Sequence, residues 1–132
     1  MAELFTDEWM KSFMEEWNKD PELSDALAAI DFDSVIGYGF PDEDAPRGVL
    51  VVKAGKGTEA GKYSGQELNW DLRATDDNWK KWCEKGIGMA GLGVAYTAGK
   101  LKFNKGDYMA MIKDPRMAGP FIKSFSAMGN VK

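Results

Sequence analysis

Apolar side chains recur at helical spacing near the start of the chain. Trp9, Met10, Phe13, Met14 and Trp17 form one stripe, and Lys11, Glu15 and Glu16 fall off it. Thr6 stands where an N-cap belongs, with Asp7 and Glu8 suited to the first turn. Phe5 and Met10 occupy the two positions of a hydrophobic staple. The spacing predicts a helix over about 7–18. Asp20-Pro21 then restarts a short helix, Asp as cap and Pro at the first position, reaching Ala29.

From Phe32 the period shortens to two residues. Phe32, Ser34, Ile36, Tyr38 and Phe40 alternate with Asp33, Val35, Gly37 and Gly39, predicting a strand over 32–40. Pro41-Asp42-Glu43-Asp44-Ala45-Pro46 is a turn. The run Val49 to Val52 predicts a second strand ending at Ala54, Gly55-Lys56-Gly57 turns the chain, and 58–64 pairs back as a third. Leu68, Trp70 and Leu72 alternate with Asn69, Asp71 and Arg73, giving a fourth strand with a clear inner face. Short turns between successive strands predict an antiparallel meander.

Thr75 caps the next helix, Asp76 and Asp77 lie in its first turn, and Gly86 ends it. Trp79, Trp82 and Cys83 share a face of it. Residues 87–98 are apolar and studded with small residues; their length argues helix and their glycines argue against a robust one. Lys100 and Lys102 alternate with Leu101 and Phe103 in a last strand that Gly106 breaks. Asp107 caps a helix from Tyr108 to Ile112 bearing Met109 and Met111. Pro115 interrupts, and 116–128 carries Phe121, Ile122, Phe125 and Met128. A greasy strand running into a Met-bearing helix suits either an ordinary core or a cavity for ligands of imprecise shape.

With 132 residues, the expectation is one domain, 1–132. The net charge of −4 hides an asymmetry: residues 1–44 hold 13 acidic and 2 basic side chains, and 45–132 hold 8 and 15. Either the two parts attract each other in the fold, or a basic face meets anionic headgroups. Nucleic acid is not an expected partner, because the basic residues are scattered singly in an acidic chain. No apolar run approaches the roughly 20 residues of a membrane span. The acidic start lacks signal-peptide character and the end, Gly-Asn-Val-Lys, is not a peroxisomal address, so the expected location is the cytoplasm.

The chemistry is thin. One cysteine excludes an internal disulfide, and the lack of histidine removes Ser-His-Asp, Cys-His and His-containing metal sites. Gly86-Ile87-Gly88-Met89-Ala90-Gly91 matches GxGxxG, but a charged helix precedes it instead of a strand. Gly55 to Lys62 has the wrong spacing for a phosphate loop, and Tyr63 stands where Ser or Thr is needed. Asp76-Asp77, Asp42-Glu43-Asp44 and Glu15-Glu16 suit a helix start, a turn and a solvated face. The expectation is no enzyme, no catalytic residue, no metal and no cofactor.

Two segments resemble the sterol-carrier-protein, or sterol-binding-domain, family. Gly99-Lys100-Leu101-Lys102-Phe103 with Gly106-Asp107 is similar to its GKLK(I/F)xG(D/N) signature. Thr75-Asp76-Asp77-Asn78-Trp79 resembles the family segment that opens the helix after the fourth strand. The resemblance spans nearly the whole chain, and the acidic N-terminal helices are similar to those of stand-alone prokaryotic members. It implies an α+β fold, a five-stranded, largely antiparallel sheet covered on one face by helices, with an apolar tunnel between. It also implies non-catalytic carriage of an apolar ligand: fatty acid, fatty acyl-CoA, phospholipid or sterol. Two departures, Gly88 to Tyr96 in place of a Pro-containing helix and the segment after Pro115, bear on the tunnel's shape.

On that resemblance the sheet lines the tunnel with Ile36, Tyr38, Phe40, Val52, Trp70 and Leu72. The middle helices add Trp79, Trp82, Leu92 and Tyr96; the end of the chain adds Leu101, Phe103, Met109, Ile112, Phe121 and Phe125. Lys100, Lys102 and Lys105 are candidates to meet an anionic headgroup at the mouth, with transient contact at a membrane surface. The competing expectation is an interaction module of the same fold, its tunnel filled by its own side chains and its tryptophan-rich first helix serving as a homodimer face.

Overall fold

The computed structural model describes residues 3–131; Met1, Ala2 and Lys132, the last of the four C-terminal residues read above, lie outside the described residues. The chain opens with α1 (Asp7–Lys19) and α2 (Ser24–Ala28), then β1 (Ser34–Gly39), β2 (Gly48–Lys53), β3 (Lys56–Lys62) and β4 (Trp70–Arg73). It continues with α3 (Asp76–Lys85), α4 (Met89–Thr97), β5 (Lys102–Lys105), α5 (Tyr108–Lys113) and α6 (Pro115–Gly129). Thr6, Thr75 and Asp107 cap as the sequence predicts. Thr6 accepts from the Trp9 amide at 3.2 Å, Thr75 from Asn78 at 3.2 Å and Asp107 from Ala110 at 3.0 Å. Asp20-Pro21, however, does not open α2. Residues 21–23 form a turn, with the Glu22 amide donating to Asp20 Oδ1, and α2 starts at Ser24 behind Leu23, which makes no side-chain cap.

The five strands form one sheet in the order β3-β2-β1-β4-β5. β1, β2 and β3 form the predicted antiparallel meander. β4 does not continue it. It pairs with β1, in parallel, placing Trp70 beside Ile36 and Leu72 beside Tyr38. Residues 63–69 carry the chain past β2 and β1 to the far side of β1, and a parallel pairing of β4 with β1 excludes a hairpin between them. The sheet is therefore mixed, with β5 antiparallel to β4 at the other edge.

Leu68 also departs from the expected inner face. The Asn69 amide donates to the Val35 carbonyl at 2.9 Å, and the Val35 amide donates to the Asn69 side chain at 2.8 Å. The regular strand begins only at Trp70, and Leu68 packs over Gly37 on the opposite face, 3.0 Å from where a Cβ at 37 would sit. Glycine is required at 37 because Leu68 and Pro46 take that space.

The core lies between the inner face of the sheet and the helices. Phe13 meets Tyr38 edge-on at 5.6 Å, Tyr38 meets Trp79 at 6.0 Å, and Trp79 stacks with Phe125 at 6.1 Å. Two indoles are anchored to backbone: Trp79 Nε1 donates to Gly39 O and Trp17 Nε1 to Gly55 O, both at 2.9 Å. The second bond ties α1 to the β2–β3 turn. Gly55 is the residue that permits it, with φ of +81° and backbone of α2 filling the space of a Cβ.

Candidate functional site

Between sheet and helices lies a small apolar cavity of about 40 Å³. Its floor is the inner face of two paired strands: Ile36 and Tyr38 from β1, Trp70 and Leu72 from β4. Trp17, Leu27 and Phe32 form one wall. Met111 of α5 and Met117, Phe121 and Ser124 of α6 form the roof. The parallel pairing of β1 with β4 creates the floor by setting two aromatic side chains, Tyr38 and Trp70, beside two branched aliphatic ones, Ile36 and Leu72.

The lining is chemically quiet. Trp17 Nε1 is spent on Gly55 O, and Trp70 Nε1 donates to Ser34 Oγ at 3.3 Å, so both indoles turn carbon to the cavity. Ser124 Oγ donates to the Phe121 carbonyl within its own helix. Burial pushes the Tyr38 phenol well above its usual range and keeps it neutral. What the arrangement offers is dispersion contact and removal of apolar surface from water. The only thiol, Cys83, is pushed up to about 11 by burial, which leaves it a poor nucleophile.

Five of the residues expected to line a tunnel meet at this cavity: Ile36, Tyr38, Trp70, Leu72 and Phe121. Val52, Leu92 and Leu101 are buried elsewhere in the core. Trp79, Trp82 and Phe125 pack on one another in the helical layer, at 5.7 to 6.1 Å between rings. Phe40 lies beside Phe5 under the Arg47 guanidinium, 4.9 Å from its ring. Phe103 sits behind Trp70 at 6.0 Å, and Ile112 is half-buried against the core.

Two expected positions face outward. Met109 is 51 % exposed and Tyr96 38 % exposed. α5 is anchored by Tyr108 and Met111, three residues apart on one face, which turns Met109 to solvent. The strand lysines also miss the cavity. Lys102 pairs across from Arg73 and Lys105 from Asp71, on the sheet face away from Ile36 and Tyr38.

Trp17, Leu27, Phe32, Met111, Met117 and Ser124 are lining residues that sequence reasoning left out. For Met111 a signal existed, its spacing from Tyr108. Trp17 ends the stripe of α1, and the stripe alone does not separate cavity wall from core.

No protein-family model matches the chain, and no curated protein matches it in sequence. Solved structures do match. A crystal structure of sterol carrier protein 2 aligns over 98 % of this chain and 100 % of its own, with TM-score 0.75 and 18 % identity. A conserved hypothetical protein from Thermus thermophilus, described as possibly a sterol carrier protein, aligns over 97 % and 91 % with TM-score 0.64 and 19 % identity. A ubiquinone synthesis protein, UbiJ-SCP2, aligns over 90 % and 86 % with TM-score 0.58 and 12 % identity. The order of helices and the five-stranded mixed sheet described above are thus the sterol-carrier-protein fold, reached here by a sequence that shares fewer than one residue in five with those structures.

Proposed function

We propose that this protein binds an apolar ligand with a long hydrocarbon portion, a fatty acid or similar lipid, between the sheet and α5–α6, and carries it without chemical change. The observation that supports this reading most is the cavity itself, an apolar space between sheet and helices with no free catalytic group on its walls. Burying each methylene is worth about 0.8 kcal/mol, so a long chain gains affinity without charge contacts, less the cost of ordering and association.

At about 40 Å³ the cavity is far below the roughly 300 Å³ of a small ligand pocket. Binding therefore requires the roof to move. The roof is the part of the lining suited to it: Met111 and Met117 are unbranched and adaptable, and α5 is a helix of only six residues. Asp114 is the single residue between α5 and α6, ending one helix and capping the next. It provides a joint at which α5 can swing.

The small cavity equally favours a second reading, a closed interaction module of the same fold that pairs with another copy of itself. Native mass spectrometry of the purified protein, followed by organic extraction, separates the two. The carrier reading expects co-purified fatty acid or phospholipid near one per chain, or uptake when fatty acid is offered. An unchanged apo mass after fatty acid, acyl-CoA and sterol are offered, with a dimer by light scattering, supports the module instead.

A further inference from the structure

α4 is apolar on every side, yet it lies on the surface. It holds no charged residue over nine positions, and a helix of that kind normally sits inside a core. Here only Leu92 and Ala95 are buried. Val94 is 63 % exposed and Met89 51 %, and Ala90, Gly91 and Thr97 are exposed with them. The Tyr96 ring stacks on Tyr108 at 3.8 Å, and the next residue of α5, Met109, is exposed as well.

Basic side chains outnumber acidic ones along the segment that carries α4 and α5. Residues 84–116 contain Lys85, Lys100, Lys102, Lys105, Lys113 and Arg116 against Glu84, Asp107 and Asp114, with Lys102 and Lys105 on the outer sheet face, in a chain whose net charge is −4. Among the described residues none of these five lysines is within 4 Å of a carboxylate, as is also true of Lys53, Lys56, Lys62 and Lys81, whereas Lys11, Lys19, Lys80 and Lys123 are paired. An uncharged helix flanked by unpaired lysines on an otherwise acidic protein is complementary to a surface that is apolar within and negative at its rim.

We infer that α4, with Met109, docks on a bilayer containing anionic lipid, Met89 and Val94 entering the headgroup–acyl boundary while Lys85, Lys100 and Lys113 meet phosphate. The inference rests on the carrier reading and adds where the cargo is exchanged. α5 shows Met109 to the docking surface and Met111 to the cavity, so the helix that meets the membrane also roofs the ligand space. Seating Met109 in lipid pulls on that roof.

Vesicle co-sedimentation tests this. Vesicles of phosphatidylcholine with about one-third phosphatidylserine should retain the protein, and phosphatidylcholine alone should retain at least about ten-fold less. Raising salt to roughly 0.5 M should weaken retention on the anionic vesicles. Met89→Asp with Val94→Asp alters two exposed side chains, so the fold should persist by circular dichroism while retention falls about ten-fold or more. Wild-type protein that stays in the supernatant overturns the inference, as does retention unaffected by the double variant. A wild-type dimer that the double variant makes monomeric also overturns it, assigning the surface to a second copy of the chain. The carrier reading fails separately: neither Met89 nor Val94 lines the cavity, so fatty-acid binding in solution without vesicles is judged apart from docking.

Discussion

Gly106 lies against the Trp70 ring so closely that a Cβ there would enter the indole, and its φ of +105° is one that side-chain-bearing residues avoid. This glycine, part of the segment that resembles a family signature, thus sets the position of a cavity-floor residue. Gly106→Ala should cost about 2 kcal/mol or more in chemical denaturation, from backbone strain and displacement of the ring. It should also change the emission of Trp70, assigned by comparison with a Trp70→Phe protein. An unshifted spectrum and unchanged stability would show that the contact does not hold the ring.

Arg73 and Asp71 point to the sheet face away from the cavity, joined by bonds of 2.6 and 3.0 Å, with Arg73 nearly inaccessible. The other guanidinium nitrogen donates to the carbonyls of Phe40 and Glu43, at 3.1 and 2.7 Å, and so holds the turn after β1. Asp71→Ala leaves a buried cation unmatched and should lower stability by about 3–5 kcal/mol in urea unfolding. A loss under about 1 kcal/mol would mean that water reaches the pair and screens it.

Cys83 gives a pH-dependent prediction. Its folded value, about 11, exceeds its ordinary 9.0 because burial opposes the thiolate. Between these values the unfolded chain has released a proton that the folded chain keeps, so stability is full below 9.0 and falls as pH rises towards 11. The buried Tyr38 phenol, also raised, acts in the same direction. The urea midpoint should be lower at pH 10 than at about pH 8, more so in wild type than in Cys83→Ala. Alkylation of native protein at about pH 8 should run roughly a hundred-fold slower than in urea. Equal rates would place the thiol in water.

Met117 sits half-buried in the cavity roof. Met117→Trp adds bulk where the space is about 40 Å³, and its partial exposure allows the larger ring to be accommodated without unfolding. Fatty-acid affinity by isothermal titration calorimetry should drop at least about ten-fold while the thermal midpoint changes by only a few degrees. Affinity that survives the substitution points to a ligand path elsewhere in the molecule.

Local pattern made most elements legible. Thr6, Thr75 and Asp107 announce helix starts because capping is a matter between a side chain and amides two or three residues on. The alternation from Ser34 to Tyr38 marks a strand face because the period is a property of the backbone. The partner of β4 was not legible: Trp70 and Leu72 alternate identically whether the neighbour is β3 or β1. Leu68 misled for a related reason, since the alternation continues in sequence through Asn69 while the regular strand does not. Within the site, Met109 and Met111 are chemically alike, and only their phase relative to Tyr108 separates solvent from cavity. The resemblance located the sheet–helix interface, and five of its residues converge on the cavity, four of them because they belong to the two strands that happen to adjoin.

The claim that an acyl chain enters between Trp17, Trp70 and the α5–α6 roof is tested most directly by quenching with a fatty acid brominated midway along its chain. Bromine quenches an indole only at near contact, and Trp17 and Trp70 line the cavity whereas Trp9, Trp79 and Trp82 do not. The account predicts saturable quenching that Trp17→Phe with Trp70→Phe largely abolishes, with the unbrominated acid competing. Quenching that persists in that double variant, or none in wild type at saturating acid, contradicts it.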